Sequence, residues 1–291
     1  MDITLRELNE LKRQIDINEG LAQPVKTHAL PPRARLLAEG DSWFAYPRRQ
    51  LVFGAAGNVI SCLRKAHKDL EIDDIASNGD EAVAMVSGDA KLDFLTRIAR
   101  TEYDLLLFSG GGNDLVGQYD FNFFLRDRKA VTNPLDCLIK ERLDRRIERV
   151  AGSYADLVDL VGEYSRNRKI KIVSHAYDWA IPSPEGASFW NGLIKVDSGR
   201  SWMHPYMVAK SITDPDEQYA IVKHLLSQFA ARIAEIAQKS AGRFVLVNTQ
   251  GTLPARDRNW WVNEIHPSPE GFAQIAKVIF DQGINPLLPP P

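Results

Sequence analysis

The chain has 291 residues, a formal net charge of -2, and a hydrophobic fraction of 44%. This length fits one large α/β domain with insertions, and the hydrophobic fraction is ample for a buried core. Acidic and basic residues are interspersed, so nothing indicates a surface that binds nucleic acid or an anionic membrane. No apolar stretch approaches the length of a membrane-spanning helix.

Residues 1–32 are predicted to form an N-terminal helix and an irregular connector. Thr4 and Glu7 have the spacing of a capping box. The segment lacks a basic stretch followed by an apolar core, so it does not read as a secretory signal, and we expect a cytoplasmic protein. The helix is expected either to swap between subunits of a homo-oligomer or to pack on its own domain. Its apolar stripe consists of Leu5, Leu8, Leu11 and Ile15.

From residue 33 to residue 291, short apolar runs alternate with longer amphipathic segments, which predicts a single α/β domain with a parallel sheet covered by helices on both faces. A long helix is predicted over about 136–165, after Asn133-Pro134, and another after Asp214-Pro215. The predicted strands are 35–40, 70–76, 104–109, 170–174 and 243–248.

Two segments, 115–133 and 180–214, fall outside this repeat and are rich in aromatic residues. Each leaves the carboxyl end of a strand, so each is predicted to wall or cover a site there. The alternative is that they bury their aromatic residues as a subsidiary core or as an oligomer contact. These residues are Tyr119, Phe121, Phe123, Phe124, Phe189, Trp190, Trp202 and Tyr206.

Four short polar blocks follow the predicted strands or open the last helix. They are Gly40-Asp41-Ser42-Trp43, Ser77-Asn78-Gly79-Asp80, Gly111-Gly112-Asn113-Asp114 and His266-Pro267. Because the carboxyl ends of parallel strands meet at one edge of a sheet, the first three blocks should converge. Their order resembles the SGNH hydrolase superfamily, the GDSL esterases and lipases, over residues 33 to 281. The resemblance implies a flavodoxin-like three-layer α/β/α sandwich with a five-stranded parallel sheet in the order 2-1-3-4-5.

The resemblance also implies a site for acyl transfer. Ser42 would be the nucleophile and His266 the base, while the N–H groups of Ser42 and Gly79 and the amide of Asn113 would form the oxyanion hole. The implied function is hydrolysis of carboxylic esters, with lipid, acetylated sugar and short acyl esters all open as substrates. The alternative is a catalytically weak or inactive ligand-binding protein with the same fold.

The third member of the catalytic group departs from the family pattern. In the usual Asp-x-x-His block the acid lies three residues before the histidine, and that position here is Asn263. An amide can orient an imidazole, but it cannot stabilise the imidazolium by charge. Either Asn263 orients His266, or Glu264 or Asp257 supplies the carboxylate, or a Ser-His dyad works alone. We expect the first, because the residues around Asn263 otherwise leave the block intact.

Further residues complete the predicted site. The candidate substrate-binding residues are Trp43, Phe44, His175 and Asp178. His175 and Asp178 could equally serve by hydrogen-bonding the surrounding loops. Asp41 and Asp114 are predicted to support loops rather than to act as acid or base. No pair of histidines or cysteines has the spacing of metal ligands, so no metal or cofactor is expected, and Cys62 and Cys137 are predicted to be buried thiols.

Overall fold

A five-stranded parallel sheet forms the centre of the molecule. The computed structural model describes residues 2–4, 6–10, 13–14, 31–46, 57–117, 120–186, 188–189, 194–196 and 199–290. The strands are β1 (Ala34–Gly40), β2 (Leu70–Asp74), β3 (Leu105–Ser109), β4 (Lys171–His175) and β5 (Phe244–Val247). Their order is β2-β1-β3-β4-β5, and all neighbours are parallel. The predicted fold class and strand order are confirmed, and each strand boundary lies within two residues of its prediction.

Helices cover both faces of this sheet. Helices α2 and α10 pack against each other on one face, while α7 packs against α4 and α9 on the other. Every residue of β3 is buried, as expected for a parallel strand covered on both sides. The helices are α1 (Ser42–Ala45), α2 (Val59–Ala66), α3 (Ala82–Met85), α4 (Gly88–Arg100), α5 (Gly112–Val116), α6 (Asp120–Phe124), α7 (Lys140–Tyr164), α8 (His204–Ala209), α9 (Pro215–Lys239) and α10 (Pro269–Ile279).

The long helix α7 begins later than predicted. Asn133 caps a separate 3-10 turn, Pro134–Cys137, rather than the helix itself. The chain then pairs with the first insertion, where the N–H of Ile139 donates to the carbonyl of Phe124 at 2.7 Å. Because this pairing holds Ile139 in an extended conformation, α7 begins only at Lys140. Helix α9 does begin at Pro215, as predicted.

The N-terminal segment is helical over residues 6–10, and Thr4 and Glu7 form the predicted capping box. Leu8 is buried in the same core as the sheet, as expected if the segment packs on its own domain. The rest of the predicted apolar stripe and most of the connector lie outside the described residues. The prediction that this helix joins subunits stays a prediction.

The first insertion buries most of its described aromatic residues. Phe121 and Phe124 are fully buried, whereas Phe123 is exposed beneath the guanidinium of Arg142, 4.4 Å from its ring centroid. This favours the subsidiary-core alternative for the first insertion; Tyr119 lies outside the described residues. The second insertion contributes Ser188–Phe189 and Ile194–Val196 to a small sheet, in which the backbone of Asp2–Ile3 pairs with Ile194–Val196; Trp190 is not described.

Two further predictions concern the cysteines and membrane-spanning helices. Cys62 and Cys137 are free thiols, as predicted, although Cys62 is only half-buried. No helix in the described ranges is long and apolar enough to cross a membrane.

Candidate active site

The predicted polar blocks meet at the carboxyl edge of the sheet, because the backbone continues to pair beyond the strand ends. The N–H of Asp41 donates to the carbonyl of Ser109, and that of Ser77 donates to the carbonyl of Gly40, both at 2.9 Å. Gly40 has no room for a side chain, since a Cβ there would lie 2.8 Å from the Cβ of Ser109. The glycine therefore lets the end of β1 approach the end of β3.

Ser42 is the first residue of helix α1. Asp41 caps this helix, and its Oδ1 accepts the N–H of Trp43 at 3.0 Å. Ser42 lies in the first turn of the helix, where backbone N–H groups have no partner within the helix. The Ser42 side chain is largely buried.

His266 links Ser42 to Asn263. The Nε2 atom of His266 lies 2.7 Å from Ser42 Oγ, and its Nδ1 atom lies 3.0 Å from Asn263 Oδ1. Asn263 Oδ1 also accepts the backbone N–H groups of Ile265 at 3.1 Å and His266 at 2.9 Å. A backbone N–H can only donate, so these two bonds fix which end of the amide faces the imidazole. Nδ1 therefore carries the proton, and Nε2 is left to accept one from Ser42.

Aromatic rings enclose the imidazole of His266. The Tyr46 ring stacks on it with centroids 4.0 Å apart, and Trp202 of the second insertion meets it edge-on at 5.6 Å. Tyr46 Oη also accepts the Asn263 amide N–H at 3.2 Å. Burial lowers the pKa of His266 to about 3, so the ring is neutral at neutral pH.

The two alternative carboxylates have other partners. Glu264 is fully buried and accepts backbone N–H groups from the second insertion, including Met203 at 2.6 Å and His204 at 3.1 Å. Burial raises the pKa of Glu264 to about 7. Asp257 caps the 3-10 turn Arg258–Trp260, where its Oδ1 accepts the N–H of Asn259 at 3.0 Å. Of the three alternatives, the geometry favours Asn263 as the group that orients His266.

The predicted oxyanion donors come from the neighbouring loops. Gly79 lies in the turn after β2 with φ of 86°, a left-handed conformation that favours glycine. Asn113 lies in helix α5, and one N–H of its amide donates to the carbonyl of Asp80 at 2.9 Å. An amide NH₂ has two hydrogens, so the second remains for a ligand.

A narrow cavity opens beside Ser42. Its volume is about 30 Å³, roughly the space of two water molecules. Of the four candidate substrate-binding residues, Trp43 and Asp178 line this cavity, whereas Phe44 and His175 do not reach its wall. The residues around it are Asp41, Ser42, Trp43, Gly112, Asn113, Val116, Tyr177, Asp178, Ala180, Leu226 and Ile265.

Asp178 lines the cavity, but its carboxylate is already bonded to the loops around it. It accepts the N–H groups of Trp179 at 2.8 Å, Gly251 at 2.6 Å and Leu253 at 2.8 Å. This matches the alternative of a loop-supporting role. The predicted loop support by Asp114 is confirmed, since its Oδ2 accepts the N–H of Ala82 at 2.7 Å.

A second polar cluster lies behind the nucleophile. Tyr177 Oη donates to Asp41 Oδ2 at 2.5 Å, and Ser109 Oγ donates to Asp41 Oδ1 at 2.9 Å. His175 Nε2 lies 3.0 Å from Ser109 Oγ, and the His175 ring stacks on Trp43. Asp41 thus supports its loop, as predicted. Within the described ranges no cluster of histidine, cysteine or carboxylate side chains could hold a metal ion.

Sequence reasoning missed the residues that shape the surroundings of His266 and the cavity. Tyr46 was visible only as one more aromatic side chain near Ser42, and Trp202 only as part of an aromatic insertion. Leu226 lies on the apolar face of helix α9, where a cavity wall and a core position have the same pattern. The second insertion, which contains Trp202, was predicted to wall or cover the site, but no spacing singles out Trp202, Tyr46 or Leu226 individually.

Comparison with known proteins identifies the fold. No protein-family model matches the chain, and no curated protein sequence matches it either. The structure is similar to phospholipase A1 from Streptomyces albidoflavus NA297, with a TM-score of 0.52, 12% identity, and 86% of this chain and 99% of that chain covered. It is also similar to an extracellular lipase from Streptomyces rimosus, with a TM-score of 0.50, 16% identity, and coverage of 85% and 98%. A putative SGNH hydrolase from Slackia heliotrinireducens matches with a TM-score of 0.47, 13% identity, and coverage of 85% and 97%. The chain shares its fold with this phospholipase A1 and this extracellular lipase.

Proposed function

We propose that this protein is a serine hydrolase that cleaves carboxylic esters through an acyl-enzyme. One observation carries the proposal: Ser42 Oγ lies 2.7 Å from His266 Nε2, while the other ring nitrogen is held by Asn263 Oδ1 at 3.0 Å. A hydroxyl that faces the unprotonated nitrogen of a neutral, oriented imidazole is the arrangement that nucleophilic catalysis by serine requires.

The reaction has two halves. Ser42 Oγ attacks the ester carbonyl as His266 Nε2 takes its proton, and the tetrahedral intermediate collapses when His266 returns that proton to the leaving alcohol. Water then attacks the acyl-serine with His266 again as base, which releases the carboxylic acid and restores the Ser42 hydroxyl. Asn263 holds the imidazole in the required tautomer throughout.

The oxyanion would be held by three donors. Ser42 and Gly79 contribute backbone N–H groups, and Asn113 contributes the amide hydrogen that its bond to Asp80 leaves over. The place of Ser42 in the first turn of α1, where N–H groups lack partners within the helix, and the presence of Asn113 in the cavity wall support this assignment. Such donors stabilise the charge that develops on the carbonyl oxygen in the transition state.

The cavity beside Ser42 favours a short acyl group. Its volume of about 30 Å³ has room for about two water molecules, which is far less than a fatty acyl chain needs. Its walls carry apolar side chains, among them Val116, Ala180 and Leu226. The similar solved structures include a lipase and a phospholipase A1, which agrees with ester hydrolysis as the reaction class.

Hydrolysis of p-nitrophenyl acetate, butyrate and octanoate by the wild type and by Ser42→Ala tests the proposal. We expect turnover by the wild type, kcat/KM that falls with chain length, and a loss of about 10⁴-fold or more in Ser42→Ala. Equal turnover by Ser42→Ala would refute the mechanism. Fastest turnover of the octanoate ester would refute the short acyl group alone.

A second function, ligand binding without turnover, is favoured by a specific observation: Asn263 supplies no negative charge to stabilise an imidazolium. If folded wild type hydrolyses none of the three esters yet its melting temperature rises with acetate or a short ester, this second function replaces the first.

A further inference from the structure

Gly79 lies in a tight four-residue turn. The N–H of Asp80 donates to the carbonyl of Ser77 at 3.4 Å, which closes a four-residue turn with Gly79 in its third position. Gly79 has φ of 86°, and Asn78 does not have a positive φ. A positive φ at the third position of a turn, without one at the second, is typical of a type II turn.

A type II turn can convert to type I when its central peptide rotates by about half a turn, and glycine at the third position is compatible with both forms. The central peptide here joins Asn78 to Gly79. Its C=O and N–H point in opposite directions because the peptide is planar and trans. Rotation would therefore turn the Gly79 N–H away from the position it has in this structure.

Asn9 of the N-terminal segment is bonded to this peptide and its neighbour. Its Nδ2 donates to the carbonyl of Asn78 at 3.0 Å, and its Oδ1 accepts the N–H of Asn78 at 2.8 Å. Asn9 Oδ1 also accepts the side-chain amide of Asn78 at 2.9 Å, and that amide donates to the carbonyl of Ala45 in helix α1 at 3.1 Å. The bonds thus connect the N-terminal segment, the Gly79 turn and the helix that begins at Ser42.

The segment that presents Asn9 is itself fixed on the domain. Leu8, beside Asn9, is only 4% exposed. The N–H of Leu8 donates to the carbonyl of Thr4 at 3.0 Å, within a helical turn closed by the bonds between Thr4 and Glu7. The backbone at Asn9 is therefore held in place by packing and hydrogen bonds, so only the entropy of the side chain is lost when Asn9 binds the turn.

We infer that Asn9 is a positioning residue for the oxyanion hole: by binding the carbonyl of Asn78, it holds the Gly79 N–H toward the substrate. This inference rests on the proposed function. The hydrogen bond to the Asn78 carbonyl also polarises the peptide, which makes the Gly79 N–H a stronger hydrogen-bond donor toward the oxyanion.

Asn9→Ala and Asn9→Asp separate positioning from structural support. Alanine loses all three bonds to Asn78. Aspartate keeps an oxygen for the N–H and the side-chain amide of Asn78, but it places a second carboxylate oxygen against the Asn78 carbonyl and so favours rotation of the peptide. A positioning role makes aspartate the more damaging change for catalysis, whereas a purely structural role makes alanine the more damaging.

For the ester that the wild type hydrolyses fastest, we expect kcat to fall about tenfold in Asn9→Ala and more in Asn9→Asp, with KM within threefold of the wild type, because oxyanion donors act mainly in the transition state. The Ki of a trifluoromethyl ketone, whose adduct with Ser42 carries an oxyanion, should rise in parallel. Arg13→Ala, an exposed change in the same segment, should leave kcat and Ki unchanged.

Two outcomes would overturn the inference. If Asn9→Asp keeps kcat within twofold of the wild type while Ser42→Ala is inactive, Asn9 does not position the oxyanion hole, and the proposed function stands. If both Asn9 variants lower the melting temperature without changing kcat or Ki, the role of Asn9 is structural. Wild-type activity in Ser42→Ala would instead remove the proposed function, and the inference with it.

Discussion

Two serine–histidine pairs lie close to Asp41, and they differ in the direction of their hydrogen bonds. Ser42 Oγ is 2.7 Å from His266 Nε2, and Ser109 Oγ is 3.0 Å from His175 Nε2. Both imidazoles are buried, and burial lowers the pKa of His266 to about 3 and that of His175 to about 4. Distance, burial and pKa therefore do not distinguish the two pairs.

The partners of each pair do distinguish them. Ser109 Oγ gives its single hydrogen to Asp41 Oδ1 at 2.9 Å, so His175 Nε2 must donate to Ser109. Asn263 Oδ1 instead takes the Nδ1 hydrogen of His266, so His266 Nε2 accepts from Ser42. A third group that holds one imidazole nitrogen as a donor leaves the other nitrogen free to act as a base toward the serine.

The largest expected effect is the difference in kcat/KM between substitutions of the two histidines. His266→Ala should lower kcat/KM by about 10⁴-fold or more, because it removes the base. His175→Gln, which can still donate to Ser109, should keep kcat/KM within tenfold of the wild type and act mainly on the melting temperature. Ester hydrolysis and thermal unfolding of both variants check this. A loss of kcat/KM in His175→Gln as large as that in His266→Ala would mean that Ser109 and His175 take part in catalysis.

The pH dependence sharpens the role of Asn263. His266 accepts the serine proton only when neutral, so kcat/KM falls as the pH drops through the pKa of this imidazole, which burial lowers to about 3. The wild type should therefore keep its activity well below pH 6.5. Asn263→Asp places a carboxylate beside Nδ1, which raises that pKa by about one unit or more and moves the acid limb to higher pH.

At its plateau, Asn263→Asp should be as active as the wild type or more active, since a carboxylate also stabilises the imidazolium. The matched control is Asp257→Asn, which alters a carboxylate that caps a turn and should leave the acid limb in place. A loss of more than tenfold in the plateau kcat/KM of folded Asn263→Asp would count against Asn263 as the group that orients His266. An acid limb at the same pH as in the wild type would count against it as well.

A smaller effect is expected from the second polar cluster, which consists of Asp41, Ser109, His175 and Tyr177. Tyr177→Phe removes the donor to Asp41 Oδ2 and should lower the free energy of unfolding by about 1–3 kcal/mol. Burial raises the pKa of Asp41 to about 6, so the loss should be greater above pH 6, where the carboxylate is ionised. Urea unfolding of the wild type and Tyr177→Phe at pH 5 and pH 8 measures this loss in the free energy of unfolding. Unchanged stability at both values would contradict the structural role assigned to this cluster.

Local patterns predicted most of the fold, and tertiary contacts account for the differences. The five strands were predicted to within two residues because each is a short apolar run bounded by polar turns. The start of α7 was predicted too early because Ile139 pairs with Phe124 in the first insertion, a contact that no local pattern reveals. The start of α9 at Pro215 was correct because Asp214 caps it, and capping depends only on adjacent residues.

The candidate site was predictable only in part. The blocks around Ser42 and His266 indicated which side chains should meet, but Asn263 and Glu264 are adjacent in the chain, and spacing alone could not assign one to the imidazole. Glu264 faces the other way because it binds backbone N–H groups of the second insertion, including that of Met203. The contact of Asn9 with the Gly79 turn had no signal in the sequence, since 69 residues separate Asn9 from Asn78.

Labelling with a fluorophosphonate tests the central claim most directly, because the reagent reacts with a serine whose proton is being removed. Intact mass and peptide mapping should be compared for the wild type, Ser42→Ala and Ser109→Ala. We expect one adduct per chain on Ser42 in the wild type and in Ser109→Ala, and none in Ser42→Ala. The absence of an adduct on folded wild type, or an adduct on Ser109, would contradict the account.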